Sequence, residues 1–144
     1  MPELPCVLAT TRRAARMMTQ LYDSYLSEHG IESAQFALLM MLDAMPDKGQ
    51  TAIAQAIGMD KTTLSRNVKV LRGYGWLDSE EGNDARSRNL ILTEEGRGVL
   101  EKARPAWRRA QEALRREVGV KEWPELLSAL HSLTASAVAA NSRR

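Results

Sequence analysis

TAIAQAIGMDKTTLSRNVKVLRGYGWLDSEEGNDARSRNLILT, from Thr51 to Thr93, sets two short helical patterns, a basic polar helix face and an arginine-bearing hairpin in one continuous stretch. Thr51 is the expected cap of a short helix over Ala52–Ile57. Gly58 supplies a tight turn, and Asp60 caps a second helix that runs to about Arg72, where Gly73 and Gly75 stop it. Two short helices joined by such a turn make a helix-turn-helix. Trp76–Glu80 and Arg88–Leu92 have strand character, and Gly82-Asn83-Asp84 between them predicts a hairpin. Thr93 then caps a long helix with Glu94 and Glu95 in its first turn, where the helix dipole favours acids.

On a helix that advances about 100° per residue, Leu64, Val68 and Leu71 share one face. Thr62, Ser65, Arg66 and Lys69 fall on the opposite face, free to meet a partner. Thr62 and Ser65 suit bases or phosphates, Arg66 suits a guanine edge or a phosphate, and Lys69 suits a phosphate. Lys61, Arg66, Lys69 and Arg72 follow one another with no acid between them, the local stripe that phosphate contact requires. At the hairpin, Arg86 and Arg88 are placed to enter or border a narrow minor groove, and Asp84 is placed to hold the Arg86 guanidinium. The expected partner is therefore double-stranded DNA, read by a helix in the major groove and an arginine in the groove beside it.

Outward from this stretch the chain stays helical. Leu8–Glu28 reads as a helix ended by Gly30, with Ala14, Met18, Leu21 and Tyr25 in one apolar stripe. Ser33 is the expected cap of the next helix, and Phe36 through Leu42 is apolar all round and so buried. Pro46 and Gly49 break it. After Thr93, the residues Leu100, Ala103, Trp107, Ala110 and Leu114 form a coiled-coil-like seam, with a kink expected at Pro105 and an end at Gly119. Pro124 opens a final helix with Leu126, Leu130, Leu133 and Ala137 on one face.

Composition agrees. In 144 residues, hydrophobic side chains make up 44% but aromatics only 5%, so Leu, Ala and Met carry the core, as in a helical protein. Net charge is +2, too small to imply a partner. Its distribution is uneven: 4 basic and 6 acidic residues over 1–49, 7 and 7 over 50–100, 9 and 5 over 101–144. The DNA-facing segment is thus basic only along its stripe. Cys6 is the single cysteine, so no internal disulfide forms. No charged leader with an apolar core is present, and no apolar run approaches the ~18 residues of a membrane span. A cytoplasmic protein without membrane attachment is expected. His29 and His131 are isolated, and no His-Glu-x-x-His, phosphate loop or Cys-x-x-Cys occurs. No enzyme, metal or cofactor is expected.

IAQAIGMDKTTLSRNVKVLRGYGWL resembles the helix-turn-helix of the MarR family of winged-helix regulators, and DARSRNLILTEEG resembles its wing signature, an Asp-x-Arg followed by Leu-Thr-x-x-Gly. ARPAWRRAQ is similar to the middle of the family's long fifth helix. The resemblance implies a mainly α fold with a small β-hairpin wing: a winged helix-turn-helix over 33–93 and a helical dimerisation lobe over 1–32 and 94–144. It implies a homodimeric repressor on a pseudo-palindromic operator. By the same resemblance Thr62, Thr63, Ser65, Arg66 and Lys69 lie on the recognition helix, Arg86 is the wing arginine and Asp84 orients it; Lys61 from the basic stripe and Arg88 from the hairpin join them as expected DNA contacts.

Many members of that family release DNA when a small phenolic or lipophilic ligand binds, and Met17, Tyr22, Met41 and Trp107 are the candidate lining residues here. One branch senses organic hydroperoxides through a cysteine at the start of the first helix. RMMTQLYDSYLSEHGIESAQF resembles that branch, with Tyr22 on its tyrosine. Cys6 lies two residues further from Tyr22 than that branch's spacing, and a second tyrosine of the branch is Ser33 here. A repressor switched by oxidation of Cys6 is one alternative. A protein-binding adaptor that kept the winged fold is another.

Overall fold

The protein is described by a computed structural model over residues 6–46, 48–82 and 88–143. Helix α1 covers Val7–Leu26 and passes into a tight 3-10 turn, Ser27–His29, closed by Gly30 at φ 67°. Only glycine takes that left-handed conformation without strain, which is why it stands at the helix end.

Helix α2 covers Ser33–Ala44, and its N-cap is Glu32 rather than Ser33. The Glu32 N–H donates to Gln35 Oε1 at 3.1 Å, and the Glu32 carboxylate accepts from the Gln35 N–H, a reciprocal capping box. Ser33 instead gives its backbone N–H to Asp23 Oδ1 at 2.6 Å, which ties α2 to α1. As its composition predicts, α2 is the central helix: Phe36, Leu38, Leu39 and Leu42 are buried and Met40 and Met41 are half-buried.

Helix α3 covers Gln50–Ile57 with Gly49 at its N-cap, so Thr51 lies inside the helix and does not cap it. The cause is a distant strand. Leu90 N–H donates to the Lys48 carbonyl at 3.1 Å, and Gly49 pairs with Asn89 as a single antiparallel bridge. Extended backbone therefore persists to Gly49 and the helix starts immediately after it. Gly58, at φ 74°, makes the turn to α4, Lys61–Gly73. Strands β1 (Leu77–Glu81) and β2 (Arg88–Leu92) pair antiparallel, from Leu77 opposite Leu92 to Glu81 opposite Arg88. Leu77, Leu90 and Leu92 point into the core.

Helix α5, Glu94–Val118, begins at Thr93, as its sequence predicts. The Thr93 hydroxyl accepts from Gly96 N–H at 3.0 Å and donates to the Gly75 carbonyl at 2.6 Å. The helix continues through Pro105, whose missing N–H removes one internal bond without ending it. Helix α6 covers Glu122–Ser142.

Contacts divide the chain into Met1–Trp107 and Arg108–Arg144. In the first unit the core joins Leu26, α2, Ile53, the inner face of α4, the hairpin leucines, and Leu100, Ala103 and Ala106. Phe36 and Trp107 stack at 6.0 Å. Asp43 of α2 accepts from both Arg97 and Arg104 of α5, the latter at 3.4 Å, and fixes the two helices side by side. In the second unit, Leu126, Leu130 and Leu133 of α6 are 36%, 46% and 38% exposed. Among the described residues, no helix is long and apolar enough to cross a membrane.

Candidate nucleic-acid interface

The face of α4 is laid out as its periodicity predicts. Leu64, Val68 and Leu71 are buried, while Lys61, Thr62, Ser65, Arg66 and Lys69 are exposed. Thr63 differs from its neighbours. It is half-buried, and its hydroxyl donates to Asp60 Oδ2 at 2.6 Å while its N–H donates to Asp60 Oδ1 at 2.8 Å. Thr63 thus spends its hydrogen on the helix cap, and its hydroxyl oxygen alone is left to accept from a partner.

The hydroxyl and N–H of Thr63 hold the Asp60 carboxyl below the usual aspartate value. A carboxylate held in this way stabilises the fold fully above the ordinary aspartate pKa, and the contribution fades as pH falls through the lowered value. Asp60→Asn keeps an acceptor but loses the charge. Its urea midpoint is expected to lie below wild type near neutral pH, with the gap closing in acid. A gap that does not change with pH would show that the charge contributes nothing.

Beside this face lies a cleft of about 300 Å³ lined by Gln50, Ser65, Val68, Lys69 and Arg72. It joins the start of α3 to the exposed side of α4. Gln50 is a site residue that the sequence reading passes over, because a helix starting after Thr51 leaves Gln50 in the loop. A helix starting at Gly49 places it on the first turn, beside Ser65 and Lys69. Arg72 reaches Asp78 of β1 at 3.7 Å, both groups largely solvated, so this pair is a weak tether.

Arg88 is exposed at the start of β2, opposite Glu81. Asp84 and Arg86 lie outside the described residues.

The four candidate ligand-lining residues lie on α1 (Met17, Tyr22), α2 (Met41) and α5 (Trp107). Tyr22 is half-buried and, with Met18, Thr19, Ser33 and Ala34, lines a shallow hollow of about 260 Å³. Burial raises its phenol pKa. Met41 and Trp107 pack against the core, and Met17 is 46% exposed. Cys6 is exposed and stands at the N-cap of α1. Among the described residues, no three His, Cys, Asp or Glu side chains gather as a metal set.

A model of the MarR family matches residues 29–87. The chain is 36% identical to the M. tuberculosis transcriptional regulator MosR, solved in complex with DNA, over 93% of this chain and 97% of that one, with a TM-score of 0.85. It is 26% identical to the transcriptional repressor CouR, solved bound to a 23-mer DNA duplex, over 92% of this chain and 99% of that one, with a TM-score of 0.81. Among curated proteins it is 26% identical over 83 residues to the uncharacterized HTH-type transcriptional regulator YwoH of Bacillus subtilis. That match takes in 58% of this chain and spans only 61% of the curated relative's length.

Proposed function

The chain belongs to the MarR family, and on that premise we propose that it is a DNA-binding transcriptional regulator of the cytoplasm, a homodimeric repressor of a pseudo-palindromic operator that a small aromatic or lipophilic ligand releases. The observation that carries the DNA reading is α4: one face is locked into the core and the other presents Lys61, Thr62, Ser65, Arg66 and Lys69 to solvent. Recognition of this kind needs a rigidly held helix with free polar side chains. The DNA complexes of MosR and CouR support the same reading. Arg66 reads a base edge, Thr62 and Ser65 reach bases or phosphates, and Lys61, Lys69 and Gln50 hold the backbone. Arg86, oriented by Asp84, enters the minor groove, with Arg88 on the adjoining phosphates.

Residues 33–93 form the reading head, and 1–32 with 94–144 form the dimer lobe. The exposed leucines of α6 support this, since a contiguous apolar face on a small chain is a contact surface, and a two-fold pairing buries it. The hollow beside Tyr22 is the candidate ligand site.

Fluorescence anisotropy on the promoter beside the protein's own gene, against scrambled duplex, tests the reading. Binding is expected to be sequence-selective and to weaken steeply with salt, which separates it from a protein-binding adaptor. Lys69→Ala is expected to weaken binding on both duplexes alike and to lower the slope of log affinity against log salt by about 0.9, one phosphate's share. A change of sequence preference instead would make Lys69 a base reader.

A second reading has one observation in its favour: Cys6 is exposed at the N-cap of α1, open to an oxidant. An organic hydroperoxide would convert the thiol to a sulfenic acid and leave as its alcohol. Loss of DNA binding on peroxide treatment, with resistance in Cys6→Ser, would select this switch; indifference to peroxide would reject it.

A further inference from the structure

Where α1 ends, α2 begins and α4 stops, a cleft of about 400 Å³ is lined by Asp23, Ser27, Ile31, Glu32, Gln35 and Tyr74. No lysine or arginine is among its lining residues. Gln35 is 9% exposed. Its Oε1 is taken by the Glu32 N–H, and its Nε2 has no hydrogen-bond partner among the described residues. This amide donor is open to the solvent of the cleft, where an incoming acceptor can take the place of water. Asp23 Oδ1 accepts from Ser33 N–H at 2.6 Å, which leaves its second oxygen to take a donor. Tyr74, at the C-cap of α4, is 52% exposed and tilted against Trp76 at 4.8 Å, so its ring is held in place while half uncovered.

We propose that this cleft binds a small, planar, uncharged cyclic amide. Its carbonyl accepts from Gln35 Nε2, its adjacent N–H donates to the free oxygen of Asp23, and its ring lies on Tyr74. Each alternative chemistry leaves something unmatched. Asp23 and Glu32 repel an anion. A simple amine offers no acceptor to Gln35, and a hydrocarbon satisfies neither polar group. The neighbouring N–H and C=O of a lactam meet both at once, and the volume suits one ring or two fused rings. Tyr74 ends α4 and Asp23 belongs to α1, so an occupied cleft joins the end of the reading helix to α1. A ligand that favours one placement of α4 changes DNA affinity to the same extent that DNA changes the ligand's. That regulatory consequence rests on the DNA reading proposed above; the binding itself does not.

Isothermal titration of the DNA-free full-length chain with uracil and with hypoxanthine tests the site, with orotate as the anionic counterpart of uracil. Saturable binding of at least one lactam at millimolar concentration or below is expected, with orotate much weaker. Gln35→Glu retains the acceptor that serves Glu32 and removes the donor, and is expected to weaken lactam binding about tenfold or more. Tyr74→Ala changes an exposed position and is expected to weaken it by about threefold or more through lost ring contact. It decides the matter if the Gln35 variant does not fold. No binding of either lactam by the folded protein, or binding unchanged in Gln35→Glu, overturns the proposal. DNA anisotropy run in parallel keeps the two readings apart. A protein that reads DNA and ignores lactams sinks this site alone, whereas one that binds lactams and no DNA sinks the regulator alone.

Discussion

Gly96→Ala is expected to destabilise the fold by about 3 kcal/mol or more, at or beyond the upper end of ordinary overpacking in a core. A Cβ at Gly96 would stand 1.8 Å from the Trp76 carbonyl oxygen, 2.7 Å from its carbon and 2.9 Å from Leu92 Cδ1. The main obstacle is backbone, so no rotamer change relieves it. That carbonyl is also pinned, because it accepts from Thr93 N–H at 3.2 Å. Relief would require the first turn of α5 to lift away from the hairpin, breaking the Thr93 bonds to Gly75 and Gly96. Gly98 is the matched control. It lies one half-turn further along the same helix, and an added Cβ there meets nothing within 4 Å. Gly98→Ala is therefore expected to be neutral or stabilising by up to about 1 kcal/mol, from helix propensity alone. Urea denaturation of the two variants separates these outcomes. Equal stabilities would mean that α5 does not approach the Trp76 carbonyl so closely.

The second large effect falls on DNA. Arg66→Ala is expected to lower operator affinity about 10- to 100-fold, the 1–3 kcal/mol of one specific base contact. The argument rests on placement. Arg66 is exposed, stands between Ser65 and the buried Val68 one turn into α4, and has Lys69 one turn further along its face. It should also relax preference at one base position in each half-site, leaving the others intact. Affinities on operators varied one position at a time, with wild type and variant at the same salt, read both effects. A uniform loss on all sequences would assign Arg66 to a phosphate. Circular dichroism should be unchanged, since the side chain supports no buried contact.

What could be read in advance, and what could not, divides by sequence distance. The apolar spacing of Leu64, Val68 and Leu71 lies within one helix, and these residues are buried as that spacing requires. Asp60 and Thr93 cap their helices through partners three residues away, and both were legible. The caps of α2 and α3 were not. Ser33 is drawn off by Asp23, ten residues earlier, and Glu32 takes its place with Gln35. Thr51 loses its role because Gly49 pairs with Asn89. A pairing one residue long leaves no alternation to detect. Gln50 was missed for the same reason, since its place on α3 follows from that bridge. The wing resemblance rests on Asp84 and Arg86, which lie outside the described residues, so its geometry stays with the sequence.

The bridge has a further consequence. Lys48 and Gly49 bond to β2 and run without a break into α3, which packs on α4. The root of the hairpin and the reading helix are thus cross-braced, like two tines set in one handle. A displacement at the root of the hairpin is thereby carried through Gly49 into α3, and from α3 to α4.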